Sequence, residues 1–251
     1  MTIVASGNAI SLGGTTKTSG YNNSIEYELG GTYGTSGANT VSLNDSAVRT
    51  LAGIGSGAIS FSNLYGKSAF TAGSTTWSTP GTYSFVVPAG TTTLTIQAWG
   101  SGGGGAFSSV GSAIASIGSN SSITGTGLTA MTAGAGGPGV VTSSTAGTVG
   151  AGGTASGGVT TNTSGSAGTK ATTNASGGAG ANGGIGNGGS GEGYEGYAAG
   201  GGGGAYTKTI TTSVSNGTTL TLIVGAGGAG ASTGTGTGAN GSNGQITIAW
   251  A

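Results

Sequence analysis

Five carboxylates serve the whole 251-residue chain: Glu26, Glu28, Asp45, Glu192 and Glu195. There is no histidine and no cysteine. Serines are plentiful, but without either partner no usual nucleophile–base pair can be assembled from them. No Cys/His set exists to hold zinc, and no thiols exist to make a disulfide framework. The densest chemistry-bearing stretch is Glu192-Gly193-Tyr194-Glu195-Gly196-Tyr197, followed by Tyr206. Two carboxylates at this spacing meet the residue-type requirement of a paired-carboxylate hydrolase. Three residues apart in a glycine loop, they read instead as solvating charges. Tyrosine offers a rigid apolar ring with a polar tip, and carboxylates accept hydrogen bonds from sugar hydroxyls. Glu192, Tyr194, Glu195, Tyr197 and Tyr206 are therefore the candidate contact residues for a partner surface. The competing reading has the tyrosines packed against a β core, covering its edge.

Two stretches match G-x-G-x-x-G: Gly225 to Gly230 and Gly134 to Gly139. A dinucleotide site also needs a helix next and an acidic residue about twenty positions on. After Gly230 the chain is Gly/Thr-rich and holds no Asp or Glu, so no cofactor is expected. Gly66-Lys67-Ser68 resembles the end of a P-loop, but Phe61 occupies the required first glycine, and the stretch reads as a surface linker. No catalytic, cofactor-binding or metal-ligating residue is assigned.

Charge narrows the partners. Lys+Arg 5 balances Asp+Glu 5, too sparse for electrostatic capture of nucleic acid or an anionic membrane. The opening MTIVASGNAISLGG has no basic n-region and no long apolar run, so it does not read as a Sec signal. Nothing elsewhere is long enough to span a bilayer.

The elements that must position the candidate residues are unusual. Gly177, Gly180, Gly183, Gly186 and Gly189 recur every third residue. That is neither the helix period nor the strand period. It is the period of a polyproline-II-type helix, with three residues per turn and no internal hydrogen bonds. Buried, such a helix needs backbone partners alongside, and an all-glycine face lets them come close. This five-residue set is the expected structural glycine face. Gly147, Gly150 and Gly153, Gly165 and Gly168, and Gly238, Gly241 and Gly244 supply neighbours. Collagen fails as an alternative because it needs abundant proline and the chain has Pro 3. A disordered Gly/Ser/Thr tract is the other rival, opposed by strand-like segments on both sides.

Those segments alternate apolar and polar residues. Tyr83, Phe85 and Val87, then Leu94, Ile96 and Ala98, read as an antiparallel pair with one buried face. Asn216-Gly217 reads as a type I′ hairpin turn leading into Leu220–Val224, and Ile246 to Trp250 alternates again. Strands are thus expected at about 77–99, 206–224 and 245–250, with a glycine-helix insertion at about 100–204 between them. Residues 1–68 differ. Ala9–Leu12, Thr40–Leu43 and Ala58–Phe61 are three irregularly spaced copies of a weak motif. Asn44 to Ala52 reads as a short helix ending at Gly53, Ser62 to Gly66 as a single turn, and Ile25, Tyr27 and Leu29 as an exposed strand. The expected fold class is all-β: an antiparallel β-sandwich with a packed polyglycine-II insertion (69–251), preceded by a small mixed module (1–68) with a thin core.

PGTYSFVVPAGTTTLTIQAWGSGGGG, TLTLIVGAGGAG and NGQITIAW resemble the glycine-rich domain of bacteriophage tail proteins, over residues from about 70 to the end. The likeness extends to fibre-tip adhesins of T-even-like phages, with their polyglycine-II cores. The glycine-rich domain of anaplastic-lymphoma-kinase-type receptors shares the plan but carries cysteines. NTVSLNDSAVRTLAG and SGAISFSNLYGKS are similar to N-terminal modules of phage minor tail and fibre proteins. The resemblance implies a non-enzymatic virion component of the tail (fibre, tip or baseplate-attached), assembled in the host cytoplasm. Residues 1–68 would join other tail proteins. The glycine-rich domain would meet a host glycan or outer-membrane protein, and a homo-oligomer is compatible. No receptor-binding residue of a relative carries over by motif. The alternatives are a purely architectural tail or decoration protein and a secreted bacterial surface or matrix protein.

Overall fold

The computed structural model describes residues 2–3, 17–18, 21–22, 25, 42–67, 70–88, 90–142, 145–172, 174–175, 177, 184–193 and 196–251. Gly180, Gly183, Tyr194, Glu195, the Ala9–Leu12 copy, Thr40–Val41 and residues 26–29 lie outside them. The chain is all-β, in several mainly antiparallel sheets. It divides into two compact units: Met1–Gly73 with Val87–Thr92 and Trp250–Ala251, and Ser74–Val86 with Thr93–Ala249.

In the first unit, helix α1 (Ser46–Ala52) follows Asp45 at its N-cap and stops at Gly53, whose φ of 74° and ψ of 25° are left-handed. Glycine takes that conformation at no Cβ cost, which makes it the usual helix terminator. Val48, Leu51 and Ala52 are buried with Ile25 and Leu64, and Leu43, Ile54, Ile59 and Phe61 pack around them. Ile25 is helical and fully buried, not part of an exposed strand, because this small core takes its side chain. The single turn after the third motif copy is a 3-10 helix at Phe61–Asn63.

The second unit is built from two five-stranded sheets. Its strands are β1 (Gly73–Trp77), β2 (Gly81–Val86), β3 (Leu94–Trp99), β4 (Ser121–Gly125), β5 (Leu128–Ala133), β6 (Tyr206–Thr211), β7 (Thr219–Val224) and β8 (Gln245–Trp250). One sheet runs Ala155–Ser156, β5, β4, β7, β2; the other runs Thr161–Thr163, β6, β3, β8, β1. Alternation buries Leu94, Ile96 and Ala98 of β3, Leu220, Leu222 and Val224 of β7, and Ile246 and Ile248 of β8. Each fully buried Leu or Ile contributes about 1.5–3 kcal/mol. β2 and β3 do not pair with each other, as their alternation had suggested. β2 pairs with β7, and β3 with β6. Likewise Asn216-Gly217 does turn the chain, with Thr218 N–H donating to Ser215 O at 3.1 Å and Gly217 at φ 78°. It joins strands of different sheets, so it closes no hairpin. Alternation reports which face is buried and is silent about which strand lies alongside.

From the ends of these strands the chain makes extended excursions that return to the sheets. Residues 100–105 run outward from β3 and 115–119 run back into β4. Residues 134–139 run out from β5 and 150–154 back. Residues 165–169 and 187–190 run outward, 200–205 back into β6, 225–230 out from β7 and 238–244 back into β8. They are joined sideways, with bonds recurring at every third residue. Gly100 and Gly103 donate to Ala205 and Gly202; Gly136 and Gly139 donate to Ser101 and Gly104; Gly102 and Gly105 donate to Ser242 and Ala239. Gly104 donates to Ser116, while Gly228 and Gly189 donate to Gly102 and Gly103. Segment 100–105 therefore has six hydrogen-bonded neighbours. Those six are bonded to one another in a closed ring: 200–205, 134–139, 115–119, 225–231, 238–244, 187–190 and back to 200–205. A second partial ring surrounds 200–205, adding 150–154 and 165–169.

Glycine is required by this closeness. A Cβ on Gly102 would collide with the Asn187 carbonyl, on Gly103 with Gly137, and on Gly202 with Ala151. Two features differ from the sequence reading. The run Gly177 to Gly189 is not one straight element: residues 184–186 turn, with φ of 76° at Gly184 and 73° at Gly186. Gly177 then faces Gly188, and Gly189 belongs to the outward segment 187–190 that follows the turn. The lattice also extends beyond 100–204, because 225–230 and 238–244 complete its first ring.

Candidate functional site

The outward segments end in short strands far from the two large sheets. Ala106–Ser108 lies between Tyr197–Ala199 (antiparallel) and Ala231–Thr233 (parallel), and Lys170–Ala171 pairs with Tyr197–Ala199. Gly191–Glu192 lies between Asn174–Ala175 and Thr237–Gly238. Ala113–Ile114 and Thr145–Thr148 flank Val140–Thr142. Loops between these strands, including 109–112 and 234–236, form the far end.

The candidate contact residues do not form one constellation. Glu192 is at the far end and exposed, and its carboxylate accepts a hydrogen bond from the Ser190 hydroxyl at 3.1 Å. Tyr194 and Glu195 lie outside the described residues. Tyr197 is also at the far end but half-buried, packed on Ala106, Ala113, Ala115, Val141 and Ala199. Tyr206 is elsewhere. Six residues of extended chain (200–205), about 20 Å, separate it from Ala199. It sits at the sheet end, 3 % exposed, with its ring centroid 5.0 Å from that of Trp99. Its hydroxyl accepts a hydrogen bond from the Gln97 amide at 2.7 Å, and Ile185 covers the pair. Tyr206 is a core residue, so it drops out of the candidate surface. The reason is register: it stands directly opposite Trp99 in the β3–β6 ladder.

Besides Glu192, the far end exposes aliphatic side chains. Val110 and Ile114 are each 68 % exposed. Sequence reasoning passed over them because single aliphatic residues in a Ser/Gly context carry no motif. Phe107 was also passed over. It is fully buried at the far end, and its signal was available: a lone large ring directly after Gly102–Gly105.

The two G-x-G-x-x-G stretches are lattice segments without a following helix. In the first, the Gly228 N–H is bonded to Gly102 O, and Asn243 and Asn240 side chains accept from Gly227 and Gly230 N–H. In the second, Gly134, Gly136, Gly137 and Gly139 all donate to backbone carbonyls. N–H groups so engaged have nothing left to offer a pyrophosphate. Among the described residues no group of three or more His, Cys, Asp or Glu side chains is placed to hold a metal ion. None of the described helices is long and apolar enough to cross a membrane. No protein-family model and no curated protein matches the chain.

Proposed function

We propose that this chain is a non-enzymatic component of a bacteriophage tail (fibre, tip or baseplate-attached) that presents its far-end loops to the host surface. Residues 1–68 join it to other tail proteins. In this reading the nine extended segments are polyglycine-II helices, and the two five-stranded sheets are the layers of a sandwich that anchors them. The observation that carries it is the lattice. A bundle bonded backbone to backbone is stiff, and its interior has no room for side chains. Chemical variety is therefore displaced to the loops at its end, the usual location of recognition on a rigid scaffold.

The contact set is Glu192, Tyr194 and Glu195 from the sequence reading, joined by Val110 and Ile114. A host glycan or an outer-membrane protein is the partner class. The test uses labelled protein on intact virions and competition for adsorption by the purified chain. Tail labelling and competition are expected. A V110D/I114D double variant should label tails normally but fail to compete. Wild-type protein that labels tails and never competes would favour the second reading, a purely architectural tail protein. The inward packing of Tyr197 and Tyr206 is the observation on that side.

A further inference from the structure

Phe107 stands in an inner strand of a four-stranded sheet at the far end, opposite Ala198 on one side and Ser232 on the other. Its ring is fully buried, with Ala198 and Ala171 against it. The rest of its enclosure is glycine from two different loops. A Cβ on Gly193 or on Gly236 would run into the ring, and one on Gly196 would come within 2.7 Å of its Cζ. None of the three glycines has a positive φ, so backbone conformation does not call for them there. The ring does at 193 and, with the Glu192 carbonyl, at 236; at 196 the Ser108 carbonyl is nearer still, 2.5 Å from a Cβ. The ring abuts bare backbone at Gly193, Gly196 and Gly236. Ala231–Thr233, which leads into the 234–236 turn, is held to the Phe107 strand by the parallel ladder.

We infer that Phe107 is a positioning residue for the presenting surface. Beyond the Glu192–Thr237 ladder pair, its single ring clamps Gly193 and Gly196 to Gly236, so these three positions move as one body and meet a partner already ordered. This rests on the far end being the presenting surface. Its physical content is preorganisation: a loop ordered before contact loses less conformational entropy on binding. It also fixes which positions cannot vary: a Cβ at 193 or 236 would enter the space of the ring.

The experiment is hydrogen–deuterium exchange on the full chain, with adsorption competition alongside, for wild type, Phe107→Ala, Phe107→Leu and Gly193→Ala. Gly193→Ala is the decisive variant, because the three nearest atoms its Cβ would meet all belong to the ring and its effect is read in the other loop. A Cβ on Gly236 would strike the Glu192 carbonyl as well and could not separate the two. Exchange across 234–236 should rise at least about tenfold in Gly193→Ala and Phe107→Ala, and less in Phe107→Leu. Protection across 100–105 should be retained. Competition should weaken in the same order. If Gly193→Ala loosens only its own loop, or Phe107→Ala loosens neither loop, the clamp is overturned. If Phe107→Ala does not fold, Gly193→Ala and Phe107→Leu decide the matter alone. Loops that loosen together in a protein whose wild type never competes would leave the clamp standing and overturn the presenting-surface reading instead.

Discussion

Trp99 and Tyr206 face each other across the β3–β6 ladder, ring centroids 5.0 Å apart and planes inclined at 44°. Each is the strand residue that borders a lattice segment: Trp99 opens onto 100–105, and Tyr206 receives 200–205. The pair sits where two pleated strands become the two segments with the most lattice neighbours. Removing it should therefore be a stability event.

Tyr206→Ala is expected to cost about 3–5 kcal/mol, the usual range for emptying a buried aromatic site. Tyr206→Phe should cost only about 1 kcal/mol, from the lost Gln97 hydrogen bond. Urea denaturation measures both. Adsorption competition per folded molecule should be unchanged in Tyr206→Phe; a loss there would return this residue to the contact surface.

Gly103→Ala and Gly202→Ala place a methyl group where a neighbouring carbonyl already sits. Each should destabilise by more than about 4 kcal/mol or abolish soluble expression, as severe overpacking does. Gly217→Ala is the control: nothing lies within 4 Å of its Cβ, and only φ of 78° opposes it, so about 1–2 kcal/mol is expected. Equal melting temperatures for the three variants would mean that the lattice is not close-packed.

Asn240→Ala and Asn243→Ala each remove one side-chain acceptor from the rim, at 2.9 Å and 3.0 Å from their donors. A cost of about 0.5–1.5 kcal/mol apiece is expected. Amide exchange by NMR gives the sharper reading. Gly230 and Gly227 should lose protection respectively, while Gly228, bonded to Gly102 O, should keep it. Unchanged exchange at the two capped amides would show that the side chains are ornamental.

The lattice explains what was legible in the sequence. Period three in glycine pointed to extended segments with one contact face, and Gly238, Gly241 and Gly244 occupy such a rim position. Residues 100–105 and 200–205 lie at the centres of the rings, where neighbours approach from all round. Glycine is then needed at nearly every position, and a run such as Gly200–Gly204 has no period to detect. Unbroken glycine therefore marks the interior and spaced glycine the rim. Reading the periodic run at 177–189 as the organising element mistook rim for centre. The strands were legible by alternation, but their partners were not. The fate of Tyr206 turned on cross-strand register with Trp99, which depends on residues more than a hundred positions apart.

The neighbours of 100–105 have a further consequence, for how the molecule is made and lost. They range from Ser116, bonded to Gly104, to Ser242, bonded to Gly102, so the central segment cannot be completed until almost the whole chain exists. Loop-closure entropy must be met before those distant contacts return anything. Folding should be slow and late in synthesis, with a wide barrier. The same barrier stands in the other direction, since no single excursion can leave without opening bonds to several others. Durability would then come from the slowness of unfolding rather than from a large equilibrium free energy.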